Sequence, residues 1–260
     1  MKLDYDIELN ILEDIHELDS SQCFIFSDEE GSDNYFATAK IVDDILGDDY
    51  LDKWVDNTKS QFPPDLINEK DSLLMEVMRI DDHSADGKKN PNLSRQRSMR
   101  NGVEKIREMF SNAKRFFMNA VTDLSTEEDH NYKNYYSSFQ RTIRKHLSKL
   151  DEYKKNHPNK KMIFLVADET SGIYVETIVE SNKVVAGRPH LVFLDKRFIN
   201  EFIDSNLDYL ILYCPYNHFN TVESHEALPQ LTIFDVKNIK NNKVISLYDY
   251  DEDRMVSCEK

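Results

Sequence analysis

Pro64-Asp65-Leu66-Ile67-Asn68-Glu69-Lys70-Asp71-Ser72-Leu73-Leu74-Met75-Glu76-Val77-Met78-Arg79-Ile80 reads as a β-hairpin entered from a hard stop. Pro63 and Pro64 end whatever precedes them, because consecutive prolines neither continue a helix nor donate to a sheet ladder. With Lys70-Asp71 at the centre of the turn, or a four-residue loop centred there, Asp65 stands directly opposite Glu76. Facing side chains on antiparallel strands have Cβ atoms about 4.5–5.5 Å apart, so two carboxylates placed this way repel. Something positive must sit between them, or the register must differ. A divalent cation is one solution, since a hard ion such as Mg²⁺ needs only one or two protein carboxylates. A Lys or Arg from a neighbouring element is the other.

Glu76 and Met78 share one face of their strand by the period-2 rule, and Val77 and Arg79 share the other. Pro64-Asp65, followed after ten residues by Glu76-Val77-Met78, resembles the signature of the PD-(D/E)XK nuclease superfamily. There a proline-aspartate on one strand is followed by an acid, an apolar residue and a lysine on the next. The resemblance implies a restriction endonuclease-like fold in which Asp65, Glu76 and the Val77 carbonyl hold Mg²⁺ or Mn²⁺. The metal would activate a water against a nucleic-acid phosphodiester. It also implies a further acid from a helix before the hairpin, for which Glu13 or Glu17 is the candidate. This chain departs from the pattern at the lysine, where Met78 stands, because a thioether carries no charge. A basic side chain from the helix at 139–155, Lys149 or Lys145, is the expected catalytic substitute.

That helix carries an apolar stripe of Phe139, Ile143, Leu147 or Leu150, and Tyr153, with Arg141, Arg144, Lys145 and Lys149 on the neighbouring face. Arg141, Arg144 and Lys145 are therefore the candidate nucleic-acid contacts. The chain is acidic, with a net charge of −15, yet residues 88–161 hold 18 of its 33 Lys and Arg and only 8 of its 48 Asp and Glu. One basic segment on an acidic protein fits a DNA or RNA partner there, and equally fits ordinary solvated helices. The acidic flanks fit a basic protein partner. A non-catalytic interaction or regulatory protein on a nuclease-like fold is the alternative to an enzyme.

Outward from the hairpin, residues 7–18 have helical apolar spacing, Cys23–Ser27 is a short strand, and 82–130 reads as a loop-plus-helix insertion. Strands are expected at 162–169, 173–180, 191–195, 209–214, 231–236 and 244–249, with a short helix over 196–205. Gly187 to His190 reads as a turn whose Arg188 and His190 are minor phosphate candidates, and Asp168-Glu169 end a strand where clefts open in α/β folds. Residues 251–260 read as a mobile acidic tail. The whole 1–260 is expected to be one α/β domain, a central mixed sheet flanked by helices, with a long helical segment between hairpin and later strands. Three scattered cysteines, no apolar leader and no apolar run of about 20 residues point to a cytoplasmic protein with no membrane span. GxGxxG, Walker, GxSxG and HExxH motifs are absent, which disfavours hydride transfer, P-loop and serine-hydrolase chemistry.

Overall fold

The computed structural model describes residues 5–18, 23–26, 49–57, 64–82, 131–170, 173–181, 183–217, 229–242 and 247–257. The proposed insertion therefore lies almost wholly outside the described residues. In chain order the elements are α1 (Tyr5–His16), β1 (Cys23–Phe26), α2 (Tyr50–Lys53), β2 (Val55–Asp56), β3 (Leu66–Asn68), β4 (Leu73–Ile80), α3 (Tyr132–Leu147) and α4 (Leu150–Asn156). Then follow β5 (Lys161–Asp168), β6 (Tyr174–Glu180), β7 (Lys183–Pro189), a 3₁₀ turn (Val192–Leu194), α5 (Lys196–Asn200), β8 (Tyr209–Tyr213), β9 (Leu231–Asp235), α6 (Val236–Asn242) and β10 (Met255–Ser257).

The main sheet runs β1-β9-β8-β5-β4-β3-β2, and a smaller sheet runs β10-β6-β7. β4, β5 and β8 are parallel neighbours at the centre, while β3 is antiparallel to β4 and β9 to β8. Parallel neighbours need crossovers, and the helices supply them on one face. Leu74, Met78, Ile80, Phe164 and Val166 pack there against Tyr135, Phe139, Ile143 and Tyr153 of α3 and α4 and Phe198 of α5. The opposite face carries Leu73, Met75, Ile163 and Leu165 under Ile11, Leu12 and Ile15 of α1. β5 is buried along almost its whole length because both of its faces are covered, which is why its sequence is continuously apolar. Among the described residues no helix is long and apolar enough to cross a membrane.

The mixed α/β class, the hairpin and most later strands agree with the sequence. Four expectations do not. Gly187 to Pro189 is not a turn but the end of β7, an edge strand, where a proline lacking its N–H costs no ladder bond. Residues 191–195 form a 3₁₀ turn rather than a strand, closed by Leu194 and Asp195 amides on the Leu191 and Val192 carbonyls. The supposed tail at 251–260 is ordered through Ser257, because Asp251 caps a short turn and β10 then pairs with β6. In addition, 247–249 is not a strand, although Tyr248 bridges Asp195.

Candidate functional site

The hairpin register is set locally. Asn68 Oδ1 accepts the Asp71 amide at 3.0 Å, its Nδ2 donates to Asp71 Oδ2 at 3.1 Å, and Ser72 takes the left-handed conformation with φ of 57°. Leu66 then pairs with Met75, which puts Asp65, the next residue outward, across from Glu76. The Asp65 main chain is held from the other side, where the Asn57 amide donates to its carbonyl at 2.7 Å. Asn57 Nδ2 reaches the Pro64 carbonyl at 2.8 Å. Because β3 starts only at Leu66, the Val77 N–H has no main-chain acceptor opposite it. It donates instead to Asp65 Oδ2 at 2.9 Å.

Glu76 is only 6% exposed and points into the helix-covered face between Leu74 and Met78. Two side chains descend on its Oε1: the Tyr153 hydroxyl donates at 3.1 Å and His146 Nδ1 lies 2.8 Å away. The His146 contact has the distance of an ion pair but is poorly aligned as a hydrogen bond. Glu76 Oε2 is buried and makes no hydrogen bond among the described residues. A buried carboxylate oxygen without a donor is rare, and an ion or water is its usual explanation. Burial, and next the Glu76 charge, push the Asp65 carboxyl up to about 6, against the pull of the Val77 N–H and of His146. Burial and the same Glu76 charge raise the Tyr153 hydroxyl, so it remains a donor.

The break between α3 and α4 falls between the two side chains that converge here. Ser148 Oγ turns back onto the Lys145 carbonyl at 2.7 Å, and Lys149 flanks the start of α4. His146 hangs from the last turn of α3, edge-on to Phe164, while Tyr153 comes from α4. Lys149, the expected catalytic cation, is exposed at the break instead of turned inward, and Lys145 and Arg141 are exposed as well. Arg144 is drawn to Glu201 at 2.6 Å, so its charge is already balanced. Glu13 and Glu17 are exposed on a helix packed against the opposite face of the sheet, which removes them from the site. Met78 is buried in the core and offers nothing polar.

His146 was the residue the sequence understated. It lies seven residues after Phe139 and seven before Tyr153, squarely on the apolar stripe. A lone polar residue at a stripe position, facing a strand that carries a buried acid, was the available signal. Arg188 and His190 likewise face inward partners, not phosphate. Arg188 Nε donates to Glu176 at 2.8 Å, and His190 Nε2 meets Asp195 at 2.8 Å. Comparison with family models, with characterised proteins and with solved structures returns no match for this chain.

The donor set suits a hard divalent ion better than a soft one. Asp65 and Glu76 supply carboxylate oxygens, and the Val77 carbonyl lies on the same strand edge as its N–H. Among the described residues no group of three His, Cys, Asp or Glu is disposed to hold a metal. Any ion here would keep several waters, which is the habit of Mg²⁺. The unsatisfied Glu76 Oε2 and the raised Asp65 are the two features such an ion would relieve.

Proposed function

We propose that the protein is a metal-dependent phosphodiester hydrolase acting on nucleic acid, with a divergent PD-(D/E)XK-like site. The single observation that carries this reading is the meeting of Asp65 and Glu76 on one face of the sheet, coupled in charge, with one Glu76 oxygen left over. The order of elements supports it too. A helix precedes an antiparallel hairpin bearing the two acids, and a helical crossover then leads to β5, parallel to the second hairpin strand. That order is similar to the plan of a restriction endonuclease-like core.

Asp65 and Glu76 would hold Mg²⁺ or Mn²⁺, which when bound lowers the pKa of a water and offsets charge on the phosphate. Tyr153 fixes the orientation of Glu76 through its Oε1. His146 takes the place of the motif lysine as the nitrogen group beside that acid, available to hold or pass a proton at Nδ1. It is 13% exposed, so the site communicates with solvent along this edge. Lys145, Lys149 and Arg141 are exposed on the same two helices and supply phosphate contacts by charge. The buried Met78 favours a second reading, a non-cleaving relative that binds nucleic acid or a basic partner on its acidic flanks. Incubation of single- and double-stranded DNA and RNA with the protein and Mg²⁺ or Mn²⁺ separates the two. Cleavage that EDTA and Glu76→Gln both abolish establishes the first reading, and intact nucleic acid in every condition leaves the second.

A further inference from the structure

A cavity of about 60 Å³ lies at the carboxyl ends of the central parallel strands, the end at which open α/β sheets take their ligands. It sits apart from Glu76, at the opposite end of α3. Asp168 ends β5 and Cys214 follows β8, and both line it together with Tyr135, Tyr174, Thr170 and His190. The volume exceeds the roughly 10–15 Å³ needed by one water several-fold, yet it is well below the ~150 Å³ of a cavity that takes benzene. A small polar head fits inside, and a longer molecule would leave its tail toward the apolar wall of Leu191 to Phe193.

The lining fixes the sign of that head. Among the described residues no Lys or Arg lines the cavity, while Asp168 is buried in its wall at 4% exposure. The hydrogen-bond partners of Asp168 are donors, the Tyr135 hydroxyl at 2.5 Å, the Thr170 amide at 3.0 Å and the Cys214 thiol at 3.7 Å, and the other charge acting on it is the negative one of Asp82. An anion would meet a carboxylate with nothing to offset it. The rings of Tyr135 and Tyr174, stacked with 5.7 Å between centroids, also line the cavity, and aromatic rings favour a cation over an anion at their faces. Thr170 Oγ1, beside Asp168, is a buried oxygen to which no group among the described residues donates, an acceptor still open in the same wall. We propose that this cavity is a binding site for a primary ammonium group, with Asp168 and Thr170 Oγ1 as its acceptors and the tyrosine pair as its aromatic wall. The site is independent of the phosphodiesterase reading.

Three probes with one tail and different heads test it: n-butylammonium, n-butanol and butanoate, titrated into the intact chain at matched ionic strength and followed by NMR shifts of the Tyr135, Tyr174 and His190 rings. For so few heavy atoms a millimolar Kd is the expected scale. Butylammonium should bind saturably and at least about tenfold more tightly than butanol, with butanoate not binding. Thr170→Val should weaken butylammonium by about threefold or more and leave butanol unchanged, and Asp168→Asn should abolish the preference for the ammonium head. Equal binding of butanol, binding of butanoate, or no saturable shift with any probe overturns the proposal. The probe series uses the unaltered protein, so it decides even if Asp168→Asn fails to fold.

Discussion

Asp195, under the first turn of helix α3, and the Asp65–Glu76 pair, under its last turn, are opposites. Asp195 is fully buried and fully served. The Tyr132 hydroxyl and the Arg197 amide donate to it, and His190 Nε2 lies 2.8 Å from Oδ2. Those partners hold its carboxyl below the usual range although burial alone would raise it. Under the last turn Asp65 and Glu76 face each other, Asp65 is raised to about 6, and Glu76 Oε2 has no donor among the described residues. The same fold can thus satisfy a buried acid completely. Where it leaves two acids in repulsion, stability has been given up locally, and functional sites are where that occurs.

The largest expected effect tests whether the unsatisfied end is the active one. On the proposed function Glu76→Gln should lower metal-dependent cleavage by at least about a hundredfold, since it would remove one of the two proposed metal ligands and its charge. Asp195→Asn should leave the cleavage rate per folded molecule within about twofold. If both substitutions reduce that rate equally, the contrast between the two ends carries no functional meaning. His146→Ala comes next. It should cost about 1–3 kcal/mol in urea melts by stripping Glu76 of a neighbour, and lower cleavage by roughly 10–100-fold. His146→Lys, which restores a motif-like cation, should recover part of that rate.

Stability separates the ends by sign. A folded-state carboxyl raised to about 6 binds its proton more tightly than the unfolded chain does, so its contribution to stability falls as pH rises from about 4 to 6. The lowered Asp195 acts in reverse, stabilising above the unfolded value near 4 and losing this as pH falls through its own lower pKa. Asp65→Asn should therefore raise stability at pH 7.5 by about 1–2 kcal/mol and do little at pH 4, since the amide oxygen can still accept the Val77 N–H. Asp195→Asn should lower it by about 2–4 kcal/mol at pH 7.5, because one end of the amide must face donors. Added Mg²⁺ should stabilise the wild type and not Asp65→Asn, as measured by thermal melting.

Much of this was legible before the fold was known. The hairpin, its register and the facing of Asp65 and Glu76 follow from prolines, a polar turn and period-2 alternation, all of which are local. The imidazole beside Glu76 was legible only as a position, a polar residue on the apolar stripe of 139–155, because nothing local says that the strand opposite carries its acid there. Lys149 falls on the neighbouring face and is exposed, while His146 shares the stripe with Phe139 and Ile143 and turns inward. The N-terminal end of α3 was equally hidden. Tyr132 and Tyr135 look like ordinary core aromatics, and their hydroxyls find Asp195 and Asp168 only through contacts 63 and 33 residues apart in sequence. Pairings at that separation leave no trace in a local pattern.

The smallest effect concerns the exposed lysines, and it sharpens the comparison from outside the core. Lys145 and Lys149 flank the His146 end of α3, while Arg144, one turn back, already serves Glu201. If nucleic acid approaches the Asp65–Glu76 end, Lys145→Ala and Lys149→Ala should each reduce the slope of log K against log salt by about 1 and weaken binding a few-fold at 100 mM salt. Lys133 lies near the other end and is paired with Glu252 and Asp253, so Lys133→Ala should change neither quantity. All three side chains are solvated, so folding stability should move by no more than about 0.5 kcal/mol in any of them. A loss of affinity without a loss of stability then reports a phosphate contact. An equal salt slope in all three variants would mean that the polyanion does not distinguish the two ends of this helix.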